Sequence, residues 1–287
     1  MFDEFALETV EVSSGSIRVR NGGSGPPIVL LHGHPRTHTT WWKVAPLLAD
    51  THTVICPDLP GYGKSTVRRA DAAHSSFSKR EMASAIVELM SRLGHERYVV
   101  VGHDRGSYVA FRLALDHPSV VDRLILLDCV PIGEALARAD WRFAAKWWHW
   151  FFLGQTGKPA ENLINRDPLG WYGADPETMG QANFEDFAEA VSNPETVHAM
   201  CEDYRAGLTV DRTHDEADMA SGARISCPLQ VLWSTEDDLW DLYGDPAKIW
   251  RNWATSLEVG SVNSGHHVAE LASNELAQRI LNFVQRT

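Results

Sequence analysis

One stretch near the middle of the chain constrains the fold more than any other: an apolar run followed by an aspartate between two glycines. The β-branched residues 99–101 end at Gly102, Asp104 follows two positions later, and Gly106 precedes a helix-forming segment. This Gly-x-Asp-x-Gly spacing is typical of a sharp strand-to-helix turn that holds a nucleophile at the top of a sheet. Such a turn leaves no room for side chains two positions either side of its tip, which explains the glycines. The spacing therefore predicts a buried strand, a turn with Asp104 at its tip, and a helix.

The aspartate at the tip of this turn restricts the chemistry. Hydrolases of acyl groups carry serine there. A carboxylate that attacked an ester would form a high-energy anhydride, whereas displacement at an sp3 carbon gives an ordinary ester intermediate. Asp104 is therefore a candidate nucleophile toward a saturated carbon that bears a leaving group. The alternative is that Asp104 only caps the following helix.

Length, charge and cysteine usage exclude several classes of protein. The 287 residues suffice for one large α/β core with an inserted subdomain. A net charge of -12 and the lack of a basic run argue against a nucleic-acid partner. The acidic N-terminus does not resemble a secretory leader, and no stretch of about 18 apolar residues predicts a membrane span. The four cysteines lack metal-ligand spacing and fit a reducing compartment, so the sequence predicts a cytoplasmic protein.

The order of strand-like and helix-like segments predicts a mostly parallel central sheet flanked by helices. Residues 8–20 alternate about a Ser-Gly pair and predict an opening hairpin. Ser78 begins a capping box whose helix is expected to end near Leu93. Buried-strand runs recur along the chain, at residues 28–31, 53–56, 99–101, 124–127 and 229–233. Because helix-like segments separate these runs, the strands are expected to lie parallel with right-handed crossovers.

The segment 131–212 differs from the rest of the chain, because it has no clear buried-strand run and is dense in aromatic residues. We interpret it as a helical cap inserted after the strand at 124–127. The core domain would then comprise residues 1–130 and 213–287.

Side chains with catalytic chemistry follow several of the predicted strands. His266 comes after the last strand and a Ser-Gly turn, where it is placed to activate water, and His267 is its rival for that role. Asp128 and Asp237 follow neighbouring strands, and either could orient the histidine or cap a helix. The chain order of nucleophile, acid and histidine is that of α/β-hydrolases. The turn at 32–35 follows another strand, and its backbone N–H groups are candidates to hold an oxyanion.

At these positions and beyond, the chain resembles the fluoroacetate (haloacetate) dehalogenases of the α/β-hydrolase superfamily. Arginine directly after the nucleophile, His-Trp in the cap and Asp-Tyr-Arg-Ala-Gly are the most specific matches. The matching motifs are His32-Gly33-x-Pro35, Asp58-Leu59-Pro60-Gly61-Tyr62-Gly63, Gly102-His103-Asp104-Arg105-Gly106, Leu113-Ala114-Leu115-Asp116-x-Pro118, Leu127-Asp128-x-x-Pro131, His149-Trp150-x-Phe152-Leu153, Asp203-Tyr204-Arg205-Ala206-Gly207 and Ser264-Gly265-His266. The resemblance implies an α/β-hydrolase fold with a cap and a hydrolytic haloacid dehalogenase without metal or cofactor. It also suggests a homodimer.

The resemblance implies a role for each matching residue. Asp104 would displace halide from the α-carbon, and His266 would activate the water that hydrolyses the resulting ester. Asp128 is favoured as the acid partner, with Asp237 as the alternative. The remaining roles are carboxylate binding by Arg105, an oxyanion hole from the N–H groups of His34 and Arg105, and a halide pocket from His149, Trp150 and Tyr204.

One position departs from the family pattern. The family carries a second arginine three residues after the first, and this sequence has Tyr108 there. Either Tyr108 donates one hydrogen bond to a larger or less charged substrate, or another cation, Arg36 or Arg112, takes the place of the missing arginine. Turnover of fluoroacetate itself depends on this position.

Two other functions fit the same motifs. An epoxide hydrolase shares the aspartate and histidine and uses two cap tyrosines, for which Tyr204 and Tyr172 are the candidates. A non-catalytic ligand-binding protein can also reuse this fold. A metal enzyme is disfavoured despite 13 histidines, because no His-Glu-x-x-His or clustered ligand spacing occurs.

Overall fold

A computed structural model describes residues 2, 4–68 and 71–286 of the chain. Within these residues the strands are β1 Ala6–Val12, β2 Gly15–Gly23, β3 Pro27–Leu31, β4 Thr53–Pro57, β5 Thr66–Val67, β6 Tyr98–His103, β7 Val121–Leu127, β8 Leu229–Ser234 and β9 Leu257–Val262. They form one sheet in the order β1-β2-β4-β3-β6-β7-β8-β9, with β5 paired to β2. The pairs from β4 to β9 along this order are all parallel, and β2 pairs antiparallel with β1, β4 and β5. The predicted hairpin and the mostly parallel sheet are confirmed.

Helices connect the strands and cover the sheet. They are α1 Ala45–Ala49, α2 Lys79–Arg92, α3 Arg105–Asp116, α4 Ile132–Ala137, α5 Trp141–Lys146, α6 Trp148–Leu153, α7 Pro159–Ile164, α8 Pro168–Tyr172, α9 Pro176–Met179, α10 Gln181–Val191, α11 Pro194–Ala206, α12 Arg212–Ser221, α13 Leu239–Tyr243, α14 Ala247–Trp250, α15 Val268–Leu271 and α16 Ser273–Val284. Helix α2 begins as predicted, because the Ser78 side chain accepts a hydrogen bond from the backbone N–H of Glu81.

The turn between β6 and α3 needs both of its glycines. A Cβ on Gly106 would lie 2.4 Å from the backbone oxygens of Leu31 and His32, and a Cβ on Gly102 would lie 2.5 Å from the Gly106 oxygen. Asp104 itself has φ 51° and ψ -118°, which is a strained conformation for a residue with a side chain. The close packing of β3 against the turn therefore fixes the position of Asp104 at the carboxyl end of β6.

The described elements between β7 and β8 are helical, from α4 to α12 with a π-helical turn at Gly207–Asp211. The predicted boundary of the cap at residue 212 falls at the first residue of α12, so this helical segment continues nine residues further, to Ser221. Arg18 of β2 contacts Asp58, which follows β4, and Asp186 of α10. These ion pairs join the sheet to the helical segment between β7 and β8.

The described residues include no helix long and apolar enough to cross a bilayer. All four cysteines are free thiols, and three of them are buried. The cytoplasmic location and the homodimer stay predictions from the sequence.

Candidate active site

The site is built where the carboxyl ends of the parallel strands meet. His34 follows β3, Asp104 follows β6, Asp128 follows β7, Asp237 follows β8 and His266 follows β9. The carboxyl edge of a parallel sheet is where α/β proteins bind ligands, since the loops there converge above adjacent strands. The sheet therefore brings together residues that lie more than 200 positions apart in the chain.

The Asp104 carboxylate has two different oxygens. Oδ1 accepts a hydrogen bond of 2.7 Å from the backbone N–H of His34. Oδ2 lies 3.9 Å from Nε2 of His266. The His34 N–H is therefore placed to stabilise negative charge on one oxygen while the other is free to attack.

Asp237 contacts His266 directly. Its Oδ2 lies 2.7 Å from Nδ1 of His266. The backbone N–H of Glu236 donates to the Ser264 carbonyl at 3.0 Å, so the loop after β8 is attached to the histidine turn. The hydrogen bond between Asp237 and Nδ1 holds the His266 ring so that Nε2 faces Asp104.

Asp128, which the family resemblance favoured as the acid, has a different partner. Its Oδ1 and Oδ2 accept hydrogen bonds of 2.5 and 2.6 Å from the backbone N–H and the hydroxyl of Ser234. Its Oδ2 also lies 3.9 Å from Nε2 of His103. The geometry therefore favours Asp237 over Asp128 as the hydrogen-bond partner of His266. Asp237 lies 2.7 Å from Nδ1 of the ring, whereas both oxygens of Asp128 bind Ser234.

The charges of the site shift the pKa values of these groups in different directions. Burial raises the pKa of Asp128 to about 6. Burial also opposes ionisation of Asp104 and Asp237, but the surrounding hydrogen bonds and charges, those of His266 first, together outweigh it and lower the pKa of both carboxyls. Although burial lowers the pKa of His266, the hydrogen bond to Asp237 and the charge of Asp104 together raise it to about 9. His266 is therefore mostly protonated at neutral pH, and loss of the Asp104 charge would lower its pKa.

We expect the Asp104→Asn variant to lower the pKa of His266 from about 9, because the substitution removes the negative charge that favours the imidazolium. NMR titration of the histidine ring measures this pKa. Asp122→Asn is a suitable control, because Asp122 lies near the amino end of β7, whereas the site lies at the carboxyl ends of the strands. An Asp104→Asn variant with a histidine pKa still near that of the wild type would contradict the coupling.

Three potential hydrogen-bond donors of the cap come together above Asp104. The ring of Tyr204 lies 5.2 Å from that of His34, 5.9 Å from that of His149 and 6.2 Å from that of Trp150, between centroids. Burial lowers the pKa of His149 to about 4, so this imidazole is neutral. The residues expected to form a halide pocket are thus neighbours. Tyr172 also packs its ring 5.4 Å from that of His34.

Arg105 is fully buried and already paired. Its Nε and Nη2 bind the two carboxylate oxygens of Asp203 at 3.0 and 2.9 Å, and Nη1 has no partner among the described residues. Its guanidinium carbon lies 4.2 Å from the centroid of the Tyr204 ring. Lys79, at the start of α2, contacts the same carboxylate. No local pattern predicts this pairing, since Asp203 follows Arg105 by 98 positions.

The residue that replaces the second arginine of the family, Tyr108, is buried beside Arg105. Its ring lies 5.9 Å from that of Trp150. Neither cation that could take its place is unpaired. Arg36 binds Glu270 through Nε and Nη2 at 2.9 and 3.2 Å, and Arg112 binds Asp215 at 2.7 Å together with two further aspartates.

One group of side chains has the donor types of a metal site. His103, Asp128 and His266 each bring one potential ligand atom within 4.8 Å of the others. His266 is itself one of the three, so a metal ion bound there would occupy the nitrogen atom that the sequence predicts to activate water.

Comparisons with known proteins identify the family to which the chain belongs. The model of the alpha/beta hydrolase fold family matches residues 26–272. The chain is 34% identical to the fluoroacetate dehalogenase of Burkholderia sp, over 99% of this chain and 95% of that protein. It is also 34% identical to the soluble epoxide hydrolase of Corynebacterium sp. (strain C12), over 91% of each protein. The crystal structure of ALR0039 from Nostoc sp PCC 7120 superimposes over 100% of both chains with a TM-score of 0.96 and 40% identity. The protein described here therefore belongs to the alpha/beta hydrolase family.

Proposed function

We propose that this hydrolase is a dehalogenase that replaces halide by hydroxyl at the α-carbon of a short haloacid such as haloacetate. The observation that carries the proposal is the group of His149, Trp150 and Tyr204 beside an aspartyl nucleophile. An imidazole, an indole N–H and a phenol can each donate a hydrogen bond to a departing halide. The identity of 34% to a fluoroacetate dehalogenase over nearly the full chain supports the same substrate class.

In the first step of the proposed mechanism, Oδ2 of Asp104 forms a bond to the α-carbon. The carbon–halogen bond breaks as this bond forms, and the halide leaves with the bonding electrons toward Tyr204. The product is an aspartyl ester whose carbonyl oxygen is Oδ1, held by the backbone N–H of His34 at 2.7 Å in the free protein. Because the ester is neutral, the pKa of His266 falls, its proton passes to solvent, and the neutral imidazole becomes able to act as a base.

In the second step, His266 removes a proton from water, whose oxygen attacks the carbonyl carbon of the ester. Negative charge develops on Oδ1 and is stabilised by the backbone N–H of His34. The bond between the carbonyl carbon and the ester oxygen then breaks, and the imidazolium returns its proton to the leaving alkoxide. The product is a 2-hydroxy acid, and the remaining proton passes from the Asp104 carboxyl to His266, which restores the charges of the resting protein.

We propose Asp237 as the acid that orients His266. Asp237→Asn is therefore expected to slow ester hydrolysis roughly 10²- to 10⁴-fold, because the histidine loses the partner that fixes its tautomer and stabilises its charge. Asp128→Asn, the matched variant, is expected to slow ester hydrolysis about tenfold or less, since the carboxylate of Asp128 binds Ser234 and not His266. Steady-state halide release measures both. A larger loss in Asp128→Asn would assign the role to Asp128.

Epoxide hydrolysis is the second candidate function. Both tyrosines expected for it, Tyr172 and Tyr204, pack against the His34 ring at 5.4 and 5.2 Å. Two phenols on one side of the nucleophile are an arrangement that can protonate an epoxide oxygen. The relation to the soluble epoxide hydrolase supports this candidate.

A paired assay separates the two candidates. Purified protein is incubated with chloroacetate, bromoacetate and fluoroacetate for halide release, and with styrene oxide for diol formation. The proposal expects halide release that exceeds diol formation in kcat/KM. Diol formation without halide release from any of the three acids would replace the dehalogenase by an epoxide hydrolase.

A further inference from the structure

The carboxylate of Asp203 binds the arginine that a substrate carboxylate would need. Its Oδ2 accepts hydrogen bonds from Arg105 Nε at 3.0 Å and from the Tyr62 hydroxyl at 2.6 Å. Its Oδ1 accepts from Arg105 Nη2 at 2.9 Å and contacts the Lys79 ammonium. The Asp203 backbone oxygen accepts a further hydrogen bond from Nη2. A carboxylate offers about four acceptor positions, so that of Asp203 is saturated.

This pairing neutralises Arg105 inside the protein. Of the donors of Arg105, only those on Nη1 have no partner among the described residues. The other buried cation, Lys79, contacts Asp203 and lies 3.7 Å from Asp211, so it too has negative neighbours. Burial and the charge of Arg105 lower the pKa of Lys79 to about 7, which reduces its positive charge further. Asp203 and Asp211 thus balance the charges of Arg105 and Lys79.

The neutralised arginine lies against three aromatic rings near the proposed site. Its guanidinium carbon lies 4.2, 5.3 and 5.4 Å from the ring centroids of Tyr204, Tyr108 and Trp150. Tyr204 and Trp150 belong to the proposed halide pocket, and Tyr108 stands where the family has its second arginine. A substrate carboxylate bound beside these rings would therefore meet the unpaired Nη1 of a guanidinium whose charge Asp203 already balances.

We propose that Asp203 determines the charge selectivity of the site, and that the protein accepts neutral 2-halo carbonyl compounds such as 2-haloacetamides about as well as the corresponding acids. Asp203 acts through Arg105 and is a positioning residue rather than a catalytic one. The inference rests on the proposed dehalogenase function for the identity of the reacting group. A neutral amide still receives the hydrogen bond of Nη1, and it avoids competition with Asp203 for the charge of the guanidinium.

The test compares two ligands of the same shape and different charge, glycolate and glycolamide, by isothermal titration calorimetry. In the wild type the two affinities are expected to agree within about tenfold, because the charge of Arg105 is compensated. Asp203→Asn is expected to tighten glycolate binding about tenfold or more and to change glycolamide binding by less than about threefold, because it exposes one full positive charge a few ångströms from the ligand. A gain in affinity for the anion alone cannot arise from structural damage.

Two further variants keep the test decisive. Glu161→Gln removes another buried cap carboxylate, one that pairs with Arg205 instead of Arg105, and is expected to leave glycolate affinity unchanged. Because removal of one partner from a buried ion pair can unfold a protein, the double variant Lys79→Gln/Asp203→Asn removes one charge of each sign. It is expected to bind glycolate at least about tenfold more tightly than Lys79→Gln alone.

The outcomes separate this inference from the proposed function. Unchanged or weaker glycolate binding in both Asp203 variants, with normal glycolamide binding, would overturn the role of Asp203. A wild-type preference for glycolate well above tenfold would overturn it as well. Failure to release halide from both chloroacetate and chloroacetamide would instead overturn the dehalogenase function, and the affinities for glycolate and glycolamide would still decide what Asp203 does.

Discussion

Asp104→Asn is expected to reduce halide release from chloroacetate by on the order of 10⁴-fold or more, because loss of a covalent nucleophile removes the whole first step. An amide oxygen retains the shape of the carboxylate and the contact with the His34 N–H, but it is a poor nucleophile toward saturated carbon. Halide release under saturating substrate measures the effect, with circular dichroism to verify the fold.

The matched control is Asp122→Asn in β7, whose carboxylate pairs with Arg97 at the surface. Its rate of halide release is expected to stay within about twofold of that of the wild type, since an exposed ion pair contributes little to stability. An Asp104→Asn protein that keeps more than a tenth of the activity would exclude Asp104 as the nucleophile.

His266→Gln is expected to stop the reaction after its first half. The variant should release close to one halide per chain in a rapid burst and then turn over roughly 10²- to 10⁴-fold more slowly than the wild type, because no base remains to activate water. Rapid-quench measurement of halide against time records both phases. His267→Gln is the control, because His267 is the next residue in the chain and its Nδ1 has no partner among the described residues.

A His266→Gln protein that turns over steadily without a burst would show that the histidine is not the base for ester hydrolysis. A burst in His267→Gln together with normal turnover in His266→Gln would transfer the role to the neighbouring residue. The proposed geometry expects neither, since His266 alone of the two has Nε2 at 3.9 Å from Asp104 and Nδ1 at 2.7 Å from Asp237.

Local sequence signals were sufficient for the turn at Asp104 and for the sheet. The glycines around Asp104 predicted the turn correctly because their role is steric and depends on neighbours that any parallel strand provides, such as the Leu31 carbonyl. The strand runs predicted the parallel sheet for the same reason. Because the carboxyl ends of such strands meet at one edge, the sequence also predicted that Asp104 and His266 would be neighbours.

The partners of the charged groups could not be predicted in this way. Asp128 and Asp237 both follow strands of the sheet, and what separates them is the hydroxyl of Ser234, which binds one aspartate and leaves the other to His266. The pairing of Arg105 with Asp203 joins the turn after β6 to helix α11 across 98 positions. No periodicity in the sequence indicates such a contact. The family resemblance indicated a substrate-binding arginine but gave no sign that a carboxylate of the same chain already binds it.

The identity of the oxygen atom transferred to product tests the central proposal most directly. In a single turnover with excess protein in H₂¹⁸O, attack by Asp104 predicts glycolate whose new hydroxyl carries ¹⁶O, while the heavy oxygen enters the Asp104 carboxylate. Mass spectrometry of glycolate and of the peptide that contains Asp104 measures both. Glycolate with ¹⁸O in its hydroxyl after the first turnover, and an unlabelled Asp104 peptide, would mean that water attacks the substrate directly and would contradict the covalent mechanism.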